Sequence, residues 1–242
     1  MDRLKYKAVF FDLDDTLFDH QFHRRTALGA LCDAAGLVGC VDLLSLEAAH
    51  DRHQQIANGE LLAGRITPDE APVRSMAGTL EEFGLKPSSS DLRDYERVYR
   101  DAYELGWRTV PGALDLLPAL RAAGCWISVI TNGRTQDQRP KLAALNLTAL
   151  LDDIVISEEI GCEKPAREFF DAALRRAGVM AREALVIGDL WQTDIVGAMQ
   201  SGIDAVWMNR YSREPQADGV REIGGFQPLE EIMRLFSAAP GR

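Results

Sequence analysis

From residue 126 onward the chain alternates short apolar runs with amphipathic stretches. WISVITN (126–132), DIVIS (153–157), ALVIGD (184–189) and DAVWMN (204–209) have apolar residues in continuous rather than alternating order. That is the signature of strands buried on both faces of a parallel sheet. Between them lie helical segments: 135–145, then KPAREFFDAALRRAG (164–178) with Pro165 in its first turn and Gly178 past its end, then TDIVGAMQSG (193–202) closed by glycine. The run Ala8-Val9-Phe10-Phe11 near the start adds a fifth strand. Five parallel-type strands joined by helices predict an α/β, doubly wound parallel sheet.

Residues 19–109 have a different texture, with helical periodicity and no convincing strand. Ser90 reads as an N-cap ahead of Asp91. Val110-Pro111-Gly112 reads as a turn that returns the chain to the α/β pattern. The predicted organisation is a core of residues 1–18 and 110–242, interrupted by an α-helical insertion over 19–109.

The strands end in chemistry. Asp12, Asp14 and Asp15 follow the first, Thr131 and Asn132 the second, Lys164 a short loop beyond the third, and Asp189 and Asp194 the fourth. Open α/β sheets bind ligands at the carboxyl ends of their strands, so these sequence-distant groups are expected to converge. Asp12, Asp14 and Asp189 cannot all remain ionised and unpaired at one place. A hard divalent cation resolves the conflict, and Mg²⁺ commonly takes one or two carboxylates together with waters and phosphate oxygens. Lys164 and the Thr131 hydroxyl suit other phosphate oxygens.

DLDDTL, TNG, EKP and GDLWQTD, in that order and each after a strand, resemble the four motifs of the haloacid dehalogenase superfamily, in the subfamily with a helical cap between the first two motifs. The resemblance implies that Asp12 is the nucleophile that becomes an aspartyl phosphate. It makes Asp14 the acid and base that serves the leaving oxygen and then the water. Mg²⁺ is implied at Asp12, the Asp14 backbone carbonyl and Asp189, with Asp194 supporting the site. Thr131, Asn132 and Lys164 are implied to hold the phosphoryl group. The dehalogenases of that superfamily lack a carboxylate at the position of Asp14, so a phosphohydrolase is the better match. DDIVISEEIGCEKPAREFFDAAL and TNGRTQDQRPKL are similar to bacterial pyrimidine 5′-nucleotidases and to acylneuraminate-9-phosphatases. The expected substrate is therefore a nucleoside 5′-monophosphate, with a sugar phosphate as the alternative. Two further alternatives are a phospho-accepting signalling domain and a catalytically silent binding module.

Composition adds limits. A net charge of −10 disfavours nucleic acid and anionic membranes as partners, and the small phosphorylated metabolite that the resemblance implies would need locally placed positive charge. The four cysteines show no CxxC spacing, and the charged N-terminal segment does not resemble a signal peptide, so a reduced, cytoplasmic protein is expected, as monomer or homodimer. His20/His23 and His50/His53 form i, i+3 pairs without an evident third ligand for zinc. Tyr95, Tyr99, Tyr103 and Trp107 recur every fourth residue, either as packing or as a platform for a nucleobase. No role is assigned to Arg134 or Trp191.

Overall fold

The computed structural model describes residues 4–214 and 216–237. It divides into two compact units, residues 1–19 with 107–242, and residues 20–106. In chain order the elements are β1 (Ala8–Phe11), helices α1 (His20–Ala34), α2 (Leu43–Leu62), α3 (Glu70–Glu82) and α4 (Ser89–Glu104), then α5 (Ala113–Ala122), β2 (Trp126–Thr131) and α6 (Thr135–Ala144). They continue with β3 (Asp153–Ile156), α7 (Ser157–Ile160), α8 (Arg167–Ala177), β4 (Ala184–Gly188), α9 (Gly197–Gln200), β5 (Asp204–Met208), β6 (Arg221–Ile223) and α10 (Leu229–Arg234).

The sheet is six-stranded in the order β3-β2-β1-β4-β5-β6, and every pairing is parallel. All four residues of β1 and all five of β4 are buried, as continuous apolar runs in a two-faced sheet require. The chain winds outward from β1 to β3 and then restarts at β4 on the other side of β1. The β1/β4 boundary is thus the topological switch point, where such folds open a crevice. One face packs Phe10 and Val186 against Phe169, Phe170 and Leu174 of α8.

Three local expectations are corrected. A sixth strand, β6, extends the sheet; it has three residues, two of them exposed, and offers almost no apolar run. Helix α8 begins at Arg167, so Lys164 and Pro165 belong to the approach rather than to the helix. The segment 193–202 is a π-helical turn at Trp191–Val196 running into α9.

The helical unit has its own core, formed by Leu28, Leu31, Leu37, Leu46, Met76 and Leu80. Half-buried Tyr95 and Tyr99 of α4 pack against it, which is the packing reading of the tyrosine stripe. Tyr99 also stacks on Tyr103, with ring centroids 6.4 Å apart. Trp107 lies beyond the end of α4 and packs edge-on against Phe18 in the α/β unit, so the four aromatic residues are not one stripe. Helix α4 is capped by Ser88, not Ser90. All four cysteines are free thiols. Among the described residues, no helix is long and apolar enough to cross a membrane.

Candidate active site

The site is assembled at the carboxyl ends of β1, β2 and β4. The β1–β4 ladder carries on one residue past β1, where the Asp12 N–H donates to the Ile187 carbonyl at 2.9 Å. The chain then wraps around the Leu13 carbonyl, which accepts from the N–H groups of Leu17 and Phe18 at 2.9 and 2.8 Å. Asp15 takes the left-handed conformation, φ 59°, inside this turn, with its N–H donating to the Phe18 carbonyl at 2.8 Å. An aspartate tolerates that conformation better than most residues. The turn is what brings Asp12 and Asp14 to the strand end in succession.

Lys164 is the centre of the charge arrangement. It is 3% exposed, and its Nζ donates to Asp12 Oδ1 at 2.6 Å, Asp194 Oδ1 at 2.7 Å and the Ile130 carbonyl at 3.0 Å. All three of its hydrogens therefore have acceptors. Burial opposes its charge, but Asp12 and Asp194 outweigh burial and hold its pKa above the ordinary lysine value. Its backbone is pinned by Asn132: the Lys164 N–H donates to Asn132 Oδ1 at 2.8 Å, and Asn132 Nδ2 donates back to the Lys164 carbonyl at 3.0 Å. The Asn132 side-chain amide, expected to meet substrate, places the lysine loop through these two bonds. Thr131 is buried at the end of β2, with its hydroxyl donating to the Asn132 carbonyl at 3.2 Å.

Asp12, Asp189 and Asp194 each present a carboxylate oxygen within 4.8 Å of the others, the one such group of potential metal ligands among the described residues. The histidine pairs do not form a second one. His53 faces Glu82 at 3.1 Å and His50 faces the Thr79 hydroxyl at 3.4 Å. Burial pushes Asp12 up to about 7, against the pull of Lys164. Burial together with Asp12 and Asp194 pushes Asp189 up to about 9. Were all three ionised, these carboxylates would carry more negative charge than Lys164 neutralises, and an all-oxygen donor set of this kind fits a hard divalent cation. Asp194 is fixed independently, since the Leu190 N–H donates to its Oδ2 at 2.9 Å. Gly188 makes room for it: a Cβ there would lie 2.5 Å from the Asp194 carboxyl group.

The Asp14 side chain is engaged elsewhere, with Lys141 at 2.8 Å and Gln138 at 3.1 Å. Neither partner was expected from the sequence, although both lie within TNGRTQDQRPKL. Beside the site, Asp19 is 2% exposed and receives Arg108 at 2.8 Å and Arg210 at 2.8 Å. Burial alone would raise its pKa, but the two guanidinium groups more than offset that and lower it. Arg213 lies 3.5 Å from Asp189. Arg134 pairs with its neighbour Asp137. Trp191 packs edge-on to Trp207, whose indole N–H donates to the Asp189 carbonyl at 2.8 Å.

The chain is similar to known proteins over nearly its whole length. The pyrimidine 5′-nucleotidase YjjG of Escherichia coli is 37% identical over 239 residues, covering 96% of this chain and 99% of the relative. A glyceraldehyde 3-phosphate phosphatase of Pyrococcus abyssi is also 37% identical, over 95% of this chain and 92% of the relative. The magnesium-bound crystal structure of the HAD-hydrolase YfnB from Bacillus subtilis superposes with a TM-score of 0.74 at 28% identity, over 97% of this chain and all of that one. Residues 6–202 match the haloacid dehalogenase-like hydrolase family, and the chain is an enzyme of that family.

Proposed function

We propose that this enzyme is a Mg²⁺-dependent phosphohydrolase that cleaves a small phosphate monoester through an aspartyl phosphate on Asp12. The observation that supports it most is the Lys164 ammonium, buried between Asp12 and Asp194 at 2.6 and 2.7 Å. A surface lysine has no reason to be there, whereas a phosphoryl group approaching Asp12 needs that charge.

Asp12 attacks phosphorus, forming the Asp12–phosphorus bond as the bond to the leaving oxygen breaks. Lys164 and Thr131 hold phosphoryl oxygens and reduce the repulsion between carboxylate and phosphate. Asp14 gives a proton to the leaving oxygen. In the second step Asp14 takes a proton from a water that attacks the aspartyl phosphate, returning Asp12 and releasing phosphate. Asp12, the Asp14 carbonyl and Asp189, with support from Asp194, would hold Mg²⁺, which would supply charge neutralisation and orientation at the transferring group.

The substrate is a nucleoside 5′-monophosphate, supported by the likeness to YjjG. Equal identity to a glyceraldehyde 3-phosphate phosphatase favours a phosphorylated triose as the second reading. Turnover of a panel of nucleotides, triose phosphates and sugar phosphates, with and without Mg²⁺, decides between them. No preference for nucleotides rejects the first. Asp12→Asn tests the chemistry itself: it should abolish hydrolysis of 4-nitrophenyl phosphate while leaving the circular dichroism spectrum unchanged. Retained turnover would end the covalent mechanism.

A further inference from the structure

We propose that Lys141, together with Gln138, is a positioning residue that aims the Asp14 carboxylate, an inference that rests on the proton-transfer role proposed for Asp14. Lys141 and Gln138 sit one turn apart on α6 and face the same way. Lys141 Nζ donates to Asp14 Oδ1 at 2.8 Å, and Gln138 Nε2 donates to Asp14 Oδ2 at 3.1 Å. One rigid helix thus holds both oxygens of one carboxylate, which restricts both of its side-chain torsions.

The two residues are built in. Lys141 is 8% exposed and Gln138 is 4% exposed, burial that such side chains adopt only when paired. The Lys141 ammonium also lies 5.2 Å from the centroid of the Phe18 ring, at the far end of the turn that carries Asp14. Gln138 Nε2 donates additionally to the Asn132 carbonyl at 3.0 Å, which ties the Asp14 contact to the loop that fixes Lys164. Gln138 Oε1 is buried without a hydrogen-bond partner, so its amide is held by what Nε2 does. The preceding loop is shaped for it. Gly133 has φ 134°, and a Cβ there would lie 2.8 Å from Gln138 Nε2. A helix that served only to cover the sheet would bury apolar groups at these positions. This one buries two nitrogen donors and points both at the same carboxylate.

Positioning matters here because a proton donor displaced by about 1 Å loses on the order of 10²-fold in rate. Lys141→Met should lower kcat by about 10- to 100-fold, as removal of outer partners of reactive groups commonly does, with KM changed by less than about threefold. The loss in kcat/KM, which reports the first step alone, should be larger on an alkyl phosphate, whose leaving oxygen needs a proton, than on 4-nitrophenyl phosphate, whose leaving group does not. Lys141→Arg should recover most of the rate. In an Asp14→Asn background, Lys141→Met should add less than about threefold, because the group it aims is already gone. Gln138→Leu provides a second variant without the charge change, and thermal melts verify folding of each.

An effect on KM rather than kcat, equal losses in kcat/KM on both substrates, or full additivity with Asp14→Asn would overturn the inference, since Lys141 would then touch substrate or act only in folding. An active Asp12→Asn protein would instead overturn the covalent mechanism, so the two failures are distinguishable.

Discussion

In the α/β unit, Asp12, Asp189 and Asp194 crowd together, Asp12 and Asp194 share the Lys164 ammonium, and Asp12 and Asp189 are pushed well above the ordinary aspartate pKa. In the helical unit, Glu47 is also buried, but it is ringed by Arg24 at 2.7 Å, Arg25 at 2.9 Å and Gln21 at 3.1 Å, and its pKa is lowered. Burial raises the acid pKa in both places; donors outweigh it only around Glu47. The helical unit pairs its buried charge completely. The α/β unit does the same for Asp19 but not for Asp12 and Asp189, whose carboxylates a bound cation would hold ionised. Carboxylates raised in pKa at strand ends, not burial of charge as such, are therefore what separates the proposed reacting centre from structural ion pairs.

The largest expected effect comes from breaking the centre. Lys164→Met should abolish measurable turnover and cost about 3–5 kcal/mol of stability, since it leaves Asp12 and Asp194 buried and facing each other without a cation. Chemical unfolding together with turnover checks both. Wild-type stability in the variant would mean that the carboxylates are not coupled through this lysine, and the contrast with Glu47 would disappear.

The second test uses pH and bears on the helical unit. His50 is buried, and burial, helped by Arg24 and opposed by Asp51, lowers its pKa to about 4. The unfolded chain protonates this histidine near 6.5, so between 6.5 and 4 the unfolded state binds the extra proton. Stability contributed by neutral His50 is complete above about pH 6.5 and is lost as pH falls toward 4, by up to about 3 kcal/mol. Hydrogen exchange of the helical unit, followed from pH 7 to pH 4.5, should show this loss in wild type and a flatter profile in His50→Gln. Identical slopes would mean that His50 does not remain neutral in the folded unit. The four tryptophans all lie outside residues 20–106, so fluorescence does not follow this unit, whereas exchange does.

Much of this contrast was legible in the sequence, and the exceptions have physical reasons. The first five strands were readable because both faces are buried and the apolar runs are unbroken. The convergence of Asp12, Lys164, Asp189 and Asp194 was readable because each follows a strand of one parallel sheet. β6 was not, because a three-residue edge strand with two exposed residues needs no hydrophobic pattern. Lys141 and Gln138 resemble solvent-facing residues of a polar helix; nothing local reveals that their partner lies more than 120 residues earlier. The same holds for Asp19, whose partner Arg210 arrives from the far side of the sheet order. Trp107 fitted the every-fourth-residue pattern, yet α4 ends at Glu104 and Gly106 turns the chain at φ 64°.

The smallest effect tests where α4 begins, and with it how the helical unit completes its polar groups. Three successive serines precede Asp91, and the sequence does not distinguish which of them caps. In the structure Ser88 Oγ accepts from the Asp91 N–H at 3.3 Å, while the Asp91 carboxylate accepts from the Ser88 N–H at 2.8 Å, a reciprocal box that needs a spacing of three residues. Ser90 sits inside the first turn, where its hydroxyl shares a 2.8 Å hydrogen bond with that of Ser88 but caps no backbone group. Ser88→Ala should therefore cost about 1 kcal/mol, and Ser90→Ala less than about 0.5 kcal/mol, in urea unfolding. No residue of α4 is fully buried, so little packing is available to compensate for a lost cap. The reverse order of the two costs would move the helix start to Ser90 and leave the Ser88 backbone donor unsatisfied, against the reciprocal cap seen at Ser88.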